Sequence, residues 1–243
     1  MTLRAPVDAL GPGERDLDPA TSRYLVRVHR LRVGDAFVAF DVAAGLEADA
    51  EILQADPRRA RARVGPPRPA AVTSPLPVTL LWAVGKADKP ESVIRDATAL
   101  GVVRIVLLTT ERTIVQLSDR ADVRRERWQN VARNAARQCG RGDVPELIGP
   151  LHLADALEID AGVSGVVLDP RAESTLVQAL SALAPRARLR VLIGPEGGLG
   201  VGELAAARSA GFSSARFGRL ALRTETAVVA VLGALLARSD GQT

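Results

Sequence analysis

From residue 78 to residue 239, short apolar runs alternate with helix-patterned stretches, and this alternation constrains the fold more than any other feature of the 243-residue chain. "VTLLWAV" (78–84), "RIVLLT" (104–109), "GVVLDP" (165–170), "RLRVLI" (188–193) and "ARFG" (215–218) read as strands. Helical patterns cover 89–101, roughly 120–139, 173–183, 201–211 and 224–239. Strands and helices at this spacing imply a mostly parallel α/β sheet with helices on both faces. Three strands run into polar or glycine-rich segments: "LDPRAE", "IGPEGGLG" and "GRLALRTETA". If those strands are neighbours, the three loops form one pocket at the carboxyl edge of the sheet.

The first 72 residues follow another pattern. "YLVRVHRL", "DAFVAF", "EADAEIL" and "ARARVG" are short alternating runs separated by turn signals, which suggests a small antiparallel barrel. "GPPRPAAVTSPLP" (65–77) carries five prolines and no periodicity, so it reads as a linker. Two domains are expected, 1–72 and 73–243.

The loop "LIGPEGGLG" (192–200) is the most informative stretch. Glycines between a strand and a helix usually cradle a phosphate, because they let backbone N–H groups approach the anion. Here the spacing fits neither phosphate-binding fingerprint, no lysine is near, and Glu196 stands in the middle of the turn. A neutral or cationic guest is the better expectation. In the third loop Thr224 reads as a helix N-cap, and Arg223 precedes an almost wholly apolar helix. Arg223 then faces a carboxylate or a nucleic-acid phosphate, the alternative being a helix-end salt bridge to Glu225 or Glu196.

Composition narrows the classes. No apolar run approaches the roughly 20 residues of a membrane helix, and no signal core precedes the barrel, so a soluble cytoplasmic protein is expected. One cysteine, Cys139, and two histidines, His29 and His152, disfavour a metal site, and Cys139 reads as a packed small residue. Trp82 and Trp128 read as core or interface. Net charge is only +4, and the basic residues are arginines apart from Lys86 and Lys89. Arginines cluster in 23–32, 58–68 and 119–143, stripes that suit a polyanion, ordinary solvated faces being the alternative. From the residues alone, a nucleotide enzyme and a non-catalytic RNA-binding module both stay open.

"LIGPEGG" with a downstream Glu203, followed some twenty residues later by "LRTETA", resembles the RsmE family of ribosomal RNA uracil-N3 methyltransferases, of the SPOUT class. "VGKADK" (84–89), "TALGV" (98–102), "TERT" (110–113), "RWQNVARNAARQCGR" (127–141) and "LVRVHRLRVGD" (25–35) fall in the family's order, so the resemblance covers nearly the whole chain. It implies a PUA-like RNA-binding β-barrel followed by an α/β knot domain with a deep trefoil knot. It also implies a homodimer, S-adenosylmethionine as cofactor and small-subunit (16S) ribosomal RNA as partner and substrate. The chain departs from the family at "SRYL" (22–25), at His29 and at "DATALGV", with Asp96 and Ala99.

On this resemblance the cofactor meets Leu168, Ile193, Gly194, Pro195, Glu196, Gly197 and Gly198, then Gly218, Leu220, Leu222, Thr224 and Ala227 of the third loop. Arg223 and Glu196 are the candidate catalytic residues. RNA contacts are expected from Arg4, Arg23 and Arg30, from Lys86 and Lys89, and from Arg137, Gln138 and Arg141. No metal ligand is expected.

Overall fold

The computed structural model describes residues 3–85, 90–111, 121–184 and 187–240. Two compact units emerge: Met1–Thr73 with Arg133–Val144, and Ser74–Ala132 with Pro145–Thr243.

The first unit is a six-stranded sheet in the order β1-β3-β4-β5-β2, with β6 paired to β4. The strands are β1 (Arg4–Pro6), β2 (Gly13–Asp16), β3 (Ala36–Asp41), β4 (Leu46–Gln54), β5 (Arg61–Val64) and β6 (Arg68–Pro69). All pairs are antiparallel except β1 with β3, where the expectation was wholly antiparallel. The core is made of Leu25, Phe37, Ile52, Val64 and small alanines such as Ala39 and Ala62. β6 anchors the proline-rich segment, because the buried Glu47 carboxylate accepts the Ala71 N–H and pairs with Arg4 and Arg68. Burial pushes the Glu47 carboxyl up, but these donors outweigh it and hold it below its usual range.

Residues 23–28 are not the strand expected from their alternation. Asp18 caps the preceding turn, accepting N–H groups of Ala20 and Thr21 at 2.9 and 3.1 Å, and Pro19 opens α1 (Pro19–Ser22). Helical geometry then continues as a π-helical stretch, Arg23–Val28. The Asp-Pro start signal outweighs the β-branched residues that follow.

In the second unit six strands run parallel in the order β12-β10-β11-β7-β8-β9. They are β7 (Val78–Ala83), β8 (Arg104–Thr109), β9 (Glu146–His152), β10 (Gly165–Leu168), β11 (Leu189–Ile193) and β12 (Phe212–Ala215). The helices are α2 (Pro90–Ala99), the first part, to Ala132, of α3 (Ala121–Cys139), α4 (Leu153–Leu157), α5 (Leu176–Ser181), α6 (Val201–Ser209) and α7 (Thr224–Asp240). β7 and β11 are buried along their whole length, as central parallel strands covered on both faces must be. Trp82 and Trp128 are both buried.

Two elements differ from the sequence reading here. β12 lies at 212–215 rather than 215–218, which releases Phe217 and Gly218 into the loop after it. β9 and α4 carried no recognisable pattern; β9 is only half-buried at the sheet edge. Among the described residues no helix is long and apolar enough to cross a membrane.

Opposite the carboxyl edge, Asp160 gathers three donors: Thr79 Oγ1 at 2.7 Å, Arg104 Nη1 at 2.6 Å and Arg188 Nη2 at 2.8 Å. Arg104 also pairs with Glu146. These contacts tie the amino ends of β7, β8, β9 and β11 together. Burial raises the Asp160 carboxyl, yet the Thr79 and Arg104 hydrogen bonds and the arginine charges hold it below its ordinary 3.8.

Candidate active site

β10 lies between β11 and β12, so the loops leaving these three strands are neighbours at the carboxyl edge. They enclose a pocket of about 280 Å³. The first loop supplies Leu168, Asp169 and Pro170, and the second Ile193 through Glu196 together with Gly198. The third supplies Phe217 to Leu222, and α7 adds Thr224 and Ala227.

The glycine-rich turn is shaped by two constraints. A Cβ at Gly194 would come within 3.0 Å of Leu199 Cγ, and Gly198 adopts φ +69°, a left-handed conformation that suits glycine. From the first turn of α6, the buried Glu203 carboxylate accepts the N–H of Gly200 at 2.7 Å and that of Glu111 at 2.9 Å. The turn is thereby fixed to the start of α6 and to the segment after β8. Asp169 is also buried and accepts the N–H and Nε–H of Arg171 at 3.0 and 3.2 Å. The pocket thus combines apolar walls with two carboxylates, Asp169 and Glu196.

Every residue expected at the cofactor lines this pocket except Gly197, which is exposed within the same turn. Thr224, the expected cap, lies one place inside the helix. The carbonyl of Arg223 accepts the Ala227 N–H at 2.9 Å, so Arg223 is the capping position and Thr224 the first helical residue. Arg223 is exposed beside the pocket and makes no ion pair among the described residues; the alternative bridges to Glu225 and Glu196 are not formed. Asp169, Phe217 and Arg219 also line the pocket and were missed. An aspartate directly after a strand and an arginine next to the loop glycine were the available signals.

The expected RNA residues divide. Arg23, Arg30 and Gln138 are exposed. Arg137 pairs with Asp8. Two expectations need correction. Arg141 is 3 % exposed and locked onto Asp143 by Nε and Nη2 at 2.9 and 2.8 Å. Arg4 pairs with Glu47 at 2.9 Å, donates to the Gly140 carbonyl and lies over the Phe40 ring at 5.3 Å. Arg141 is sequestered from solvent and Arg4 half-buried, each with its charge matched inside the first unit. Cys139 is exposed rather than packed. Four of the five arginines of 58–68 are paired too: Arg59 with Asp16, Arg61 and Arg63 with Glu14, and Arg68 with Glu47 and Asp49. Lys86 and Lys89 lie outside the described residues.

Residues 72–236 match a family model described as an RNA methyltransferase domain, and 17–65 one described as an RNA methyltransferase PUA domain. The ribosomal RNA small subunit methyltransferase E of Mycobacterium tuberculosis is 33 % identical over 220 residues, spanning 86 % of this chain and 80 % of that protein. The chain belongs to the ribosomal RNA small subunit methyltransferase E family. A solved family structure from Neisseria gonorrhoeae, bound to S-adenosyl methionine, aligns over 98 % of both chains with 27 % identity and a TM-score of 0.75. A methyltransferase from Legionella pneumophila, in complex with the same cofactor, aligns over 98 % of both chains with 28 % identity and a TM-score of 0.75. The architecture is that of this family, an α/β methyltransferase unit with an N-terminal PUA unit.

Proposed function

We propose that this chain methylates N3 of a uridine in small-subunit (16S) ribosomal RNA, using S-adenosylmethionine, in the cytoplasm. We further propose that it acts as a homodimer, with domains at 1–72 and 73–243 and a deep trefoil knot in the second. The observation that carries the reading is the convergence of three strand-end loops on one pocket, with an unpaired arginine at its edge.

The pocket suits the cofactor. Glycine backbone can approach an adenine or ribose closely, and Leu168, Ile193, Leu222 and Ala227 supply an apolar wall. Asp169 and Glu196 would repel a polyphosphate but tolerate a cation and can accept from hydroxyl or amino groups. When bound, S-adenosylmethionine supplies an electrophilic methyl group on a sulfonium.

The uridine N3 must lose its imide proton before it can attack, because the neutral nitrogen offers no free lone pair. The base must also leave its stack, since N3 lies on the Watson–Crick edge. Arg223, with its guanidinium uncommitted, stabilises the developing uridine anion or anchors its phosphate. Glu196 accepts from the base or orients Arg223. The enzyme's contribution is positioning together with this charge stabilisation.

The test uses small subunits lacking N3-methyluridine, methyl-labelled S-adenosylmethionine, and nucleoside analysis by mass. Label in N3-methyluridine is expected, with kcat reduced about 100-fold or more in Arg223→Ala, the usual cost of removing one anion-stabilising donor. Label in another nucleoside would refute the target base, and absence of cofactor binding would refute the enzyme.

A further inference from the structure

In the first unit Arg4, Arg59, Arg61, Arg63, Arg68, Arg137 and Arg141 are each paired with a carboxylate. One stretch is different. Arg23, Arg27, Arg30 and Arg32 are all exposed, and none makes an ion pair among the described residues. The acid that ends this stretch, Asp35, is turned inward on the chain, accepting the Arg32 backbone N–H at 2.7 Å.

The backbone explains why these side chains share a face. Leu25 is fully buried and Leu31 packs against the same core, so the residues around them must point outward. The His29 N–H donates to the Tyr24 carbonyl at 3.1 Å, a five-residue step that sets residue 29 above residue 24. Their rings meet edge to face, with centroids 4.5 Å apart at 67°. The Leu31 N–H then closes onto the Leu25 carbonyl at 3.0 Å, which throws Arg30 into φ +58°, a conformation uncommon outside glycine. Tyr24 is 38 % exposed, and Val28 and Val33 are 63 % and 64 % exposed.

Four unpaired guanidiniums call for a polyanion. An exposed aromatic pair flanked by valines adds something a duplex cannot use, because its bases are already stacked within the helix. Unpaired bases do use such faces. We infer that Arg23–Val33 is a platform for single-stranded RNA, with one unpaired base stacked on Tyr24 beside His29 and the neighbouring phosphates held by Arg23, Arg27, Arg30 and Arg32. This rests on the RNA-substrate reading above and names a surface through which the substrate is held.

The test uses the full chain with a fluorescent, unstructured oligoribonucleotide, titrated over a range of salt. Tyr24→Ala is expected to weaken binding about ten-fold, the scale of one lost base–aromatic stack, while Tyr24→Phe binds like the parent. Arg27→Ala is expected to lower the slope of log K against log salt by about 0.7, one phosphate's worth on a single strand. S-adenosylmethionine binding, unchanged in all three variants, reports an intact fold. Unaltered affinity in Tyr24→Ala, equal affinity for a duplex of the same length, or equal competition by polyglutamate would overturn the platform. Parallel methylation of small subunits separates the two claims. Transfer without these effects sinks the platform alone, and these effects without transfer sink the substrate reading alone.

Discussion

Glu203 accepts the backbone N–H of Glu111 at 2.9 Å across 92 residues of sequence. The same carboxylate accepts the Gly200 N–H, so one side chain holds the end of the glycine-rich turn and the segment after β8 together. Glu203→Ala would leave both N–H groups without their acceptor, and for the buried one at Gly200 the cost is about 1–3 kcal/mol. The expected outcome is a lower Tm and at least ten-fold weaker S-adenosylmethionine binding by calorimetry. Glu203→Gln, which retains one acceptor oxygen, is expected to fall between the two. Unchanged cofactor affinity in Glu203→Ala would show that the turn holds its shape without the brace.

Asp160 predicts an acid-sensitive step in stability. Its folded carboxyl titrates below the unfolded value of 3.8, because Thr79, Arg104 and Arg188 favour the charged form more than burial disfavours it. A depressed carboxylate contributes fully above its unfolded value, and the contribution disappears as pH falls through the folded one. Tm is therefore expected to be level near neutrality and to drop below about pH 4. Asp160→Asn suits the test, since asparagine tolerates the φ of +55° found there. It is expected to destabilise the chain by about 1–3 kcal/mol at pH 7 and to flatten the acid limb. A variant whose acid limb matches the parent's would assign the titration elsewhere, for instance to Glu47 or Asp18, both also held low.

The parallel sheet and its pocket were legible because their signals are local. Apolar runs such as "RIVLLT" and the glycines of "IGPEGGLG" declare a strand and a turn without reference to anything distant. The fate of arginines was not legible, because it depends on partners far away in sequence. Arg141 and Gln138 stand three residues apart on the same basic segment, yet one is locked onto Asp143 and the other is exposed. Arg63 resembles Arg27 in its alternating surroundings, but Glu14 faces it across the β2–β5 pair. Residues 23–28 misled for another reason: a cap at Asp18 decided their geometry before their own propensities could.

Arg190 extends the same lesson to stability. It is 1 % exposed within β11 and forms no ion pair with a carboxylate among the described residues. Its guanidinium instead donates to the carbonyls of Leu157, Val163 and Ala210, and lies 4.4 Å over the Phe212 ring. Burial pushes its pKa down, but arginine stays charged over any working pH. Arg190→Ala would open a cavity and strand several buried carbonyls. A loss of about 3 kcal/mol or more in urea unfolding is expected, with Arg190→Lys rescuing little because an ammonium cannot span the fork. Full rescue by lysine would mean that charge alone suffices there.

Two glycines, Gly194 and Gly202, separate shape from flexibility at the glycine-rich turn. A Cβ at Gly194 meets Leu199 at 3.0 Å at Cγ and 3.3 Å at N, so alanine there must push the turn open by a few tenths of an ångström. A Cβ at Gly202, in the first turn of α6, meets nothing within 4 Å. Alanine at 202 only removes unfolded-state freedom, worth up to about 1 kcal/mol in a helix. Gly202→Ala is therefore expected to raise Tm slightly and leave S-adenosylmethionine affinity alone. Gly194→Ala is expected to keep most of its stability and bind the cofactor several-fold more weakly. If instead both variants lose affinity alike, the turn works by moving when the cofactor enters, and a preformed cradle is the wrong description of it.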